Sequence, residues 1–380
     1  MTPREYLGTG ALDRLPDVLD EGRARRVLLV TGRGALRGTA PWRDLMAALD
    51  GREVLHLDQV PPHPEIRLLQ QLLARCRDFQ ADLTLAVGGG SVLDMAKLLR
   101  FFAAWDGTPL EWLEGNRTWA GDPGPLVAVP TTAGPGSQAT PFAVLYVGLV
   151  KHSIAHPAIL PDVAIVDPAL TYLLPPYETA VSGADALAQA IESFWSNRST
   201  ASSRAWSRQA MARLLPNLVA AARSPTAEAR LQMAWGAHLA GKAIAVAQTT
   251  AAHAVSYPIT ARYGLPHGHA VALTLPALLV FNAGVDPENV QDPRGAAHVQ
   301  AVLAEILQLL GASGPGQGRR RLAALLGAAG LELDPVRLGL AGPDARRYIV
   351  QNGFNPGRMA NNPRRVTAAD LARLLGRGGG

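Results

Sequence analysis

Short apolar runs alternate with helical stretches through the first 170 residues. VLLVTG (27–32), EVLHLD (53–58) and LTLAVGGG (83–90) are brief runs of aliphatic and β-branched side chains ended by glycine or aspartate, a pattern that predicts strands. Helical patterns near 41–50, 65–79 and 91–105 separate them. This order predicts a parallel sheet with helices on both faces, because parallel neighbours need crossover connections. PLVAVPTT (125–132), AVLYV (143–147) and VAIVD (163–167) add further strands. Beyond Pro175 and Pro176 the pattern becomes helical throughout: 177–196, 201–222, 226–247, 249–263, 268–282, 295–310, and shorter helices to 376. GASGPGQG (311–318) reads as a flexible loop and the final GRGGG as a fraying end. The change of pattern predicts two domains, 1–174 and 175–380.

Composition narrows the picture without redirecting it. The 380 residues are 48% hydrophobic and 18% charged, ordinary for a folded chain of two domains. Of the 36 basic residues, 33 are arginine, and they are dispersed along the chain. Dispersal argues against a nucleic-acid surface, although the net charge of +5 suits an anionic small molecule. Cys76 is the single cysteine, so an intrachain disulfide and a cysteine zinc site are both excluded. The first residues show no basic stretch followed by an apolar one, and no run approaches a membrane span. A cytoplasmic protein with neither membrane nor nucleic-acid partner is expected.

Two loops carry candidate chemistry. In AVGGGSVLDMAK (86–97) three glycines and a serine stand where a strand ends and a helix begins, so free backbone N–H groups and the positive end of a helix dipole meet at one spot. A diphosphate suits that spot; a tight turn with no ligand is the alternative. VPTTAGPGSQAT (129–140) again follows an apolar strand and presents two threonine hydroxyls. Two such loops at the carboxyl ends of parallel strands point to a nucleotide. The expected fold is thus an α/β, Rossmann-like dinucleotide-binding domain followed by an all-α domain.

GGGSVLDMAK, VPTTAGPGSQAT, VAIVDPALTYLLPP (163–176), SGADALAQAIES (182–193) and HAVSYPITARYGLPHGHA (253–270), in this order, resemble the iron-containing (group III) alcohol dehydrogenases. The resemblance implies a nicotinamide cofactor, a divalent metal, an aldehyde or alcohol substrate, and a homodimer. It places Gly89, Gly90, Ser91 and Asp94 at the cofactor phosphates, Thr131 and Thr132 near the nicotinamide half, and Lys151 near a ribose. Many NAD-dependent members have an acidic residue where this chain has Gly32, followed by Arg33. A guanidinium in place of a carboxylate suits a 2′-phosphate, so NADPH is expected over NADH, Gly32 as a simple turn residue being the alternative.

The same resemblance implies a metal site of Asp185, Gln189, His253 and His267, for Fe2+ or Zn2+, with Gln189 standing where the family has histidine. Three ligands of Asp and His hold a divalent ion, and an amide oxygen is a weak hard fourth, so the site is expected to bind more weakly or to take a harder ion. His267 is also expected at the reacting centre, with Tyr257 as proton or hydrogen-bond donor to the nascent alkoxide. Within the family the stretches around 185–196, 253–275 and 361–371 look most like the phosphonoacetaldehyde reductases, which implies reduction of a small anionic aldehyde to a primary alcohol. Candidates to hold the anion are Arg262, Asn361, Asn362 and Arg364, with Arg198, Arg365, His152 and His156 as further cations. Gln248 stands where a lysine is expected, a departure that weakens the phosphonate assignment. A general alcohol dehydrogenase or a metal-independent reductase resembling maleylacetate reductase shares the layout, and loss of chemistry at Gln189 is the non-catalytic alternative.

Overall fold

The computed structural model describes residues 3–34, 36–115 and 119–376. The chain forms two compact units: one runs to Thr132 and resumes over Gly136–Leu174, the other takes Ala133–Pro135 and everything from Pro175 onward.

The first unit contains β1 (Arg4–Leu7), α1 (Leu15–Glu21), β2 (Arg26–Thr31), α2 (Ala40–Ala48), β3 (Glu53–Leu57), α3 (Ile66–Phe79), β4 (Leu83–Gly88), α4 (Gly90–Ala103), α5 (Pro109–Leu113), β5 (Leu126–Pro130), β6 (Phe142–Val147), β7 (Val150–Ala155) and β8 (Val163–Val166). Six strands make a parallel sheet in the order β1-β8-β5-β4-β2-β3. Every residue of β4 and β5 is buried, which explains why both read as unbroken apolar runs: helices cover both faces and no position is left for alternation. The chain passes from β2 outward to β3 and then returns to the other side of β2 as β4. That reversal opens a crevice at the carboxyl ends of β2 and β4, the usual ligand position in such sheets.

Three expectations need correction here. AVLYV does form a strand, but β6 pairs antiparallel with β7 in a separate two-stranded ribbon. β1 and α1 were not anticipated from the pattern, since four half-exposed residues and a seven-residue helix carry little periodicity. The loop expected over 311–318 is shorter, for Pro315 and the residues after it open a helix. Proline is well suited to a first helical position, where its missing N–H is not needed. The fraying end at 377–380 lies outside the described residues.

The second unit is helical: α6 (Pro176–Trp195), α7 (Ala201–Arg223), α8 (Ala227–Ala247), α9 (Ala251–Tyr263), α10 (His267–Ala283), α11 (Ala296–Leu309), α12 (Pro315–Ala329) and shorter helices to Gly376. From Gly183 to Trp195 every residue of α6 is buried, so this helix is the centre of the unit. A helix enclosed on all sides must satisfy each polar side chain it carries. Asp185, Gln189, Glu192 and Ser193 therefore need partners from neighbouring helices.

Candidate active site

Asp185, Gln189 and Glu192 lie at positions i, i+4 and i+7 of α6, along one face. His253 comes from the first turn of α9, and His267 opens α10. One ligand atom from each of Asp185, His253 and His267 falls within 4.8 Å of the others. Gly268 is what lets α10 approach so closely. A Cβ there would lie 2.0 Å from the Val181 carbonyl oxygen and 2.9 Å from the Asp185 Cβ, so any side chain would push His267 away from the aspartate.

Each group in the cluster is held. His253 contacts carboxylates on both ring nitrogens: Nε2 lies 3.2 Å from Asp185 Oδ1, and Nδ1 touches Glu192 Oε2. Burial would lower the His253 pKa, but the paired carboxylates outweigh it and hold it at about 9. Burial likewise opposes ionisation of Glu192, yet His253, Thr250 and the Ala252 amide together keep its pKa below the usual value. Ser256 donates to the His253 carbonyl at 2.6 Å and lies 3.2 Å from His267 Nδ1. The Tyr257 ring stacks on His267 with centroids 6.0 Å apart.

Gln189 is the exception. Its Oε1 is buried and has no hydrogen-bond partner. An orphaned buried carbonyl oxygen costs about 1–3 kcal/mol, and it lies one turn along α6 from Asp185. A divalent ion among Asp185, His253 and His267 fits the donor set present: a carboxylate, two imidazoles and an oxygen in want of a partner. The ion would displace the proton that His253 shares with Asp185, as ligation of a protonated imidazole requires.

In the first unit, Thr31, Gly32, Arg33, Gly34, Arg37, Gly88, Gly89 and Thr131 line a cavity of about 170 Å3 at the crevice beside β2 and β4. Gly88 can only be glycine, since a Cβ would lie 2.6 Å from Val92. Val92 and Leu93 both turn their N–H groups onto the Gly89 carbonyl, leaving the amides of Gly90 and Ser91 at the open start of α4. Arg33 and Arg37 stand on the same rim, Arg37 paired with Asp58. Lys151 is half-buried on β7, and Thr132 follows the Thr131 that lines the cavity. Asp94 sits elsewhere: its carboxylate is turned into the domain, taking hydrogen bonds from Ser137 Oγ at 2.6 Å and the Val144 amide at 3.0 Å.

Most of the anion candidates are engaged elsewhere too. Arg262 is exposed and lies 4.2 Å over the Tyr348 ring; Arg364 donates to the Phe281 carbonyl at 2.6 Å. Asn361 Nδ2 donates to Gln248 Oε1 and the Thr249 carbonyl, both at 3.2 Å. Asn362 is fully buried and donates to Asn282 Oδ1 and the Arg364 carbonyl. Arg198 and Arg365 are exposed, and His156 packs into an aromatic cluster with Phe101, Trp112 and Trp119. Arg262, Arg364, Asn361, Asn362 and His156 thus brace the fold in this structure.

Sequence reasoning missed Glu192 and Ser256. The signal for each was spacing: Glu192 is seven residues from Asp185 on one helix face, and Ser256 is three residues from His253.

Comparison with known proteins agrees with this layout. Residues 2–168 match the family model described as iron-containing alcohol dehydrogenase, and residues 179–377 match that of the Fe-containing alcohol dehydrogenase family, C-terminal. The chain is 38% identical over 372 residues to phosphonoacetaldehyde reductase of Streptomyces viridochromogenes, covering 93% of this chain and 90% of that one. Among solved structures, 1,3-propanediol oxidoreductase superposes with a TM-score of 0.86 at 28% identity, covering 99% and 98% of the two chains. Sulfoacetaldehyde reductase from Bifidobacterium kashiwanohense, in complex with NAD+, superposes with a TM-score of 0.87 at 26% identity, covering 98% and 96%. Among the described residues no helix is long and apolar enough to cross a membrane.

Proposed function

Because the chain belongs to the iron-containing alcohol dehydrogenase family, whose enzymes use NAD(P) and a divalent metal, we propose that it reduces a small anionic aldehyde with NADPH. The substrate is phosphonoacetaldehyde and the product 2-hydroxyethylphosphonate. The observation that carries this reading is the similarity to a phosphonoacetaldehyde reductase, which runs over 93% of the chain. The fold shared with a sulfoacetaldehyde reductase supports it, since both substrates are two-carbon aldehydes bearing an anion.

A bound NADPH would supply the hydride for the carbonyl carbon, and one proton on oxygen would complete the alcohol, so that aldehyde, NADPH and H+ balance against alcohol and NADP+. A bound divalent ion would supply Lewis-acid polarisation of the carbonyl. Asp185, His253 and His267 would hold that ion, with the Gln189 oxygen available as a weak fourth donor. The Tyr257 phenol, stacked beside His267, is the proton donor. Arg33, assisted by Arg37, receives the 2′-phosphate of NADPH at the β2 crevice, and the amides of Gly90 and Ser91 receive the diphosphate.

The test is steady-state kinetics with phosphonoacetaldehyde, sulfoacetaldehyde and acetaldehyde, each with NADPH and NADH. The reading expects kcat/KM for phosphonoacetaldehyde to exceed that for acetaldehyde by at least about 100-fold, the scale set by anion recognition of about 3 kcal/mol. Equal turnover of the two removes the phosphonate assignment and leaves a general alcohol dehydrogenase. Arg33→Ala should lower kcat/KM for NADPH with little change for NADH; an equal loss with both would remove the 2′-phosphate role.

A further inference from the structure

Glu192 is fully buried on α6, yet hydride transfer gives it nothing to do. Its Oε1 accepts three hydrogen bonds, from the Thr250 amide at 3.1 Å, the Thr250 hydroxyl at 2.6 Å and the Ala252 amide at 2.9 Å. The Thr250 oxygen in turn accepts from Trp195 Nε1 at 2.9 Å, so its own proton is committed to Glu192. A carboxylate fixed by three donors leaves Oε2 aimed at His253 Nδ1. An ionised carboxylate only accepts, so the proton belongs on Nδ1.

Ser256 applies the same logic to the second imidazole. A hydroxyl has one proton, and this one goes to the His253 carbonyl at 2.6 Å. Its oxygen can therefore only accept from His267 Nδ1, 3.2 Å away.

We propose that Glu192 and Ser256 are positioning residues that fix His253 and His267 as Nδ1–H tautomers, turning both Nε2 lone pairs toward the Asp185 metal site. The proposal rests on the reading of that cluster as a metal site. Neither residue touches the ion; each acts through the histidine it holds. The consequence is specific. In Glu192→Gln the amide oxygen can keep the Thr250 and Ala252 donors, which places the NH2 group against His253 Nδ1. The ring nitrogen must then accept, and its proton moves to Nε2, where the ion should sit.

The experiment measures Zn2+ affinity of the metal-stripped full chain by competition with a chromophoric chelator, alongside circular dichroism of the apo forms. Glu192→Gln is expected to weaken Zn2+ binding by about 10–100-fold, the range for outer ligand partners. Ser256→Ala, which removes a neutral acceptor, is expected to weaken it by less than about tenfold. Wild-type Zn2+ affinity in a folded Glu192→Gln protein overturns the proposal and leaves the metal reading standing. Failure of the wild-type chain to bind Zn2+ overturns both. A measurement on the wild-type protein covers the case in which Glu192→Gln does not fold. In the 15N-histidine spectrum of the Zn2+ form, His253 and His267, assigned by single variants, should show protonated Nδ1 and metal-shifted Nε2; ligation through Nδ1 on either ring overturns the proposal.

Discussion

Each domain encloses a carboxylate beside a nitrogen base, and the two pairs differ in which effect prevails. In the α/β domain burial raises the pKa of Asp94 and lowers that of Lys97 to about 8, although each partner's charge opposes the shift. In the helical domain burial pushes the same way, but pairing prevails: Glu192 is lowered and His253 is held at about 9. The difference lies in contact and in donors. Lys97 Nζ stays 4.0 Å from Asp94 Oδ1, and Asp94 has two hydrogen-bond donors, Ser137 Oγ and the Val144 amide. Glu192 touches His253 directly and has three further hydrogen bonds from Thr250 and Ala252. In the second pair the buried charges are thus sustained first by the counter-charge in direct contact and then by the hydrogen bonds aimed at them. The first pair is a strut that ties α4 to the 137–142 segment; the second orients a candidate ligand.

Breaking the strut should give the largest effect. Lys97→Met removes four hydrogen bonds, to Ser137 Oγ, the Thr140 carbonyl, Thr140 Oγ1 and the Phe142 carbonyl, and leaves Asp94 buried without its cation. The expected loss is about 3–5 kcal/mol in the urea unfolding of the α/β domain. The double variant Asp94→Asn with Lys97→Met should recover part of it, because no uncompensated charge remains. A single-variant loss below about 1 kcal/mol would show that the four hydrogen bonds and the ion pair together contribute little to the stability of this domain.

The pH dependence separates the pairs next. The folded-state pKa of Lys97, about 8, lies below the unfolded value of about 10.4. Between these values the unfolded chain binds more protons, so stability rises with pH. The gain begins near pH 8, is complete near 10.4, and is on the order of 3 kcal/mol. Asp94→Asn removes the charge that holds the Lys97 pKa up, so the onset should move below pH 8. Urea midpoints taken from pH 7 to 10.5 on both proteins test this; an unmoved onset in Asp94→Asn would deny the coupling.

How much of this could be read from the chain follows from what each part depends on. The strands β2, β4, β5 and β8 were legible because both-face burial writes itself as continuous apolar runs, and the glycine loops because backbone geometry restricts the residue directly. Asp185, Gln189, His253 and His267 were legible through ordered motifs, and the structure brings Asp185 and the two histidines together. Glu192 was in view in SGADALAQAIES but unassigned, since spacing gives a shared face and not what lies across from it. The arginines were least legible. With 33 of them in the chain, a guanidinium near a motif carries little information, and Arg262 and Arg364 turn out to pack on aromatic rings. Asp94 shows the same limit from the opposite side: one residue inside the glycine-loop motif serves the α/β domain by holding it together.

The smallest change tests what a single hydrogen bond adds to the counter-charge. Thr140→Val keeps the side-chain shape and removes one neutral acceptor from Lys97, at 3.1 Å, while the Thr140 carbonyl, the Phe142 carbonyl and Ser137 Oγ remain. A hydrogen bond from a charged donor contributes about 1.5–3 kcal/mol, so the α/β domain should lose about 2 kcal/mol in urea unfolding near pH 7. The more telling readout is the onset of the alkaline gain. An acceptor stabilises the protonated ammonium over the neutral amine, so its removal should lower the Lys97 pKa further and bring the onset below pH 8, in the same direction as Asp94→Asn. A loss of stability with no movement of the onset would mean that Thr140 only packs, and that the charge on Lys97 is sustained by Asp94, Ser137 Oγ and the two carbonyls.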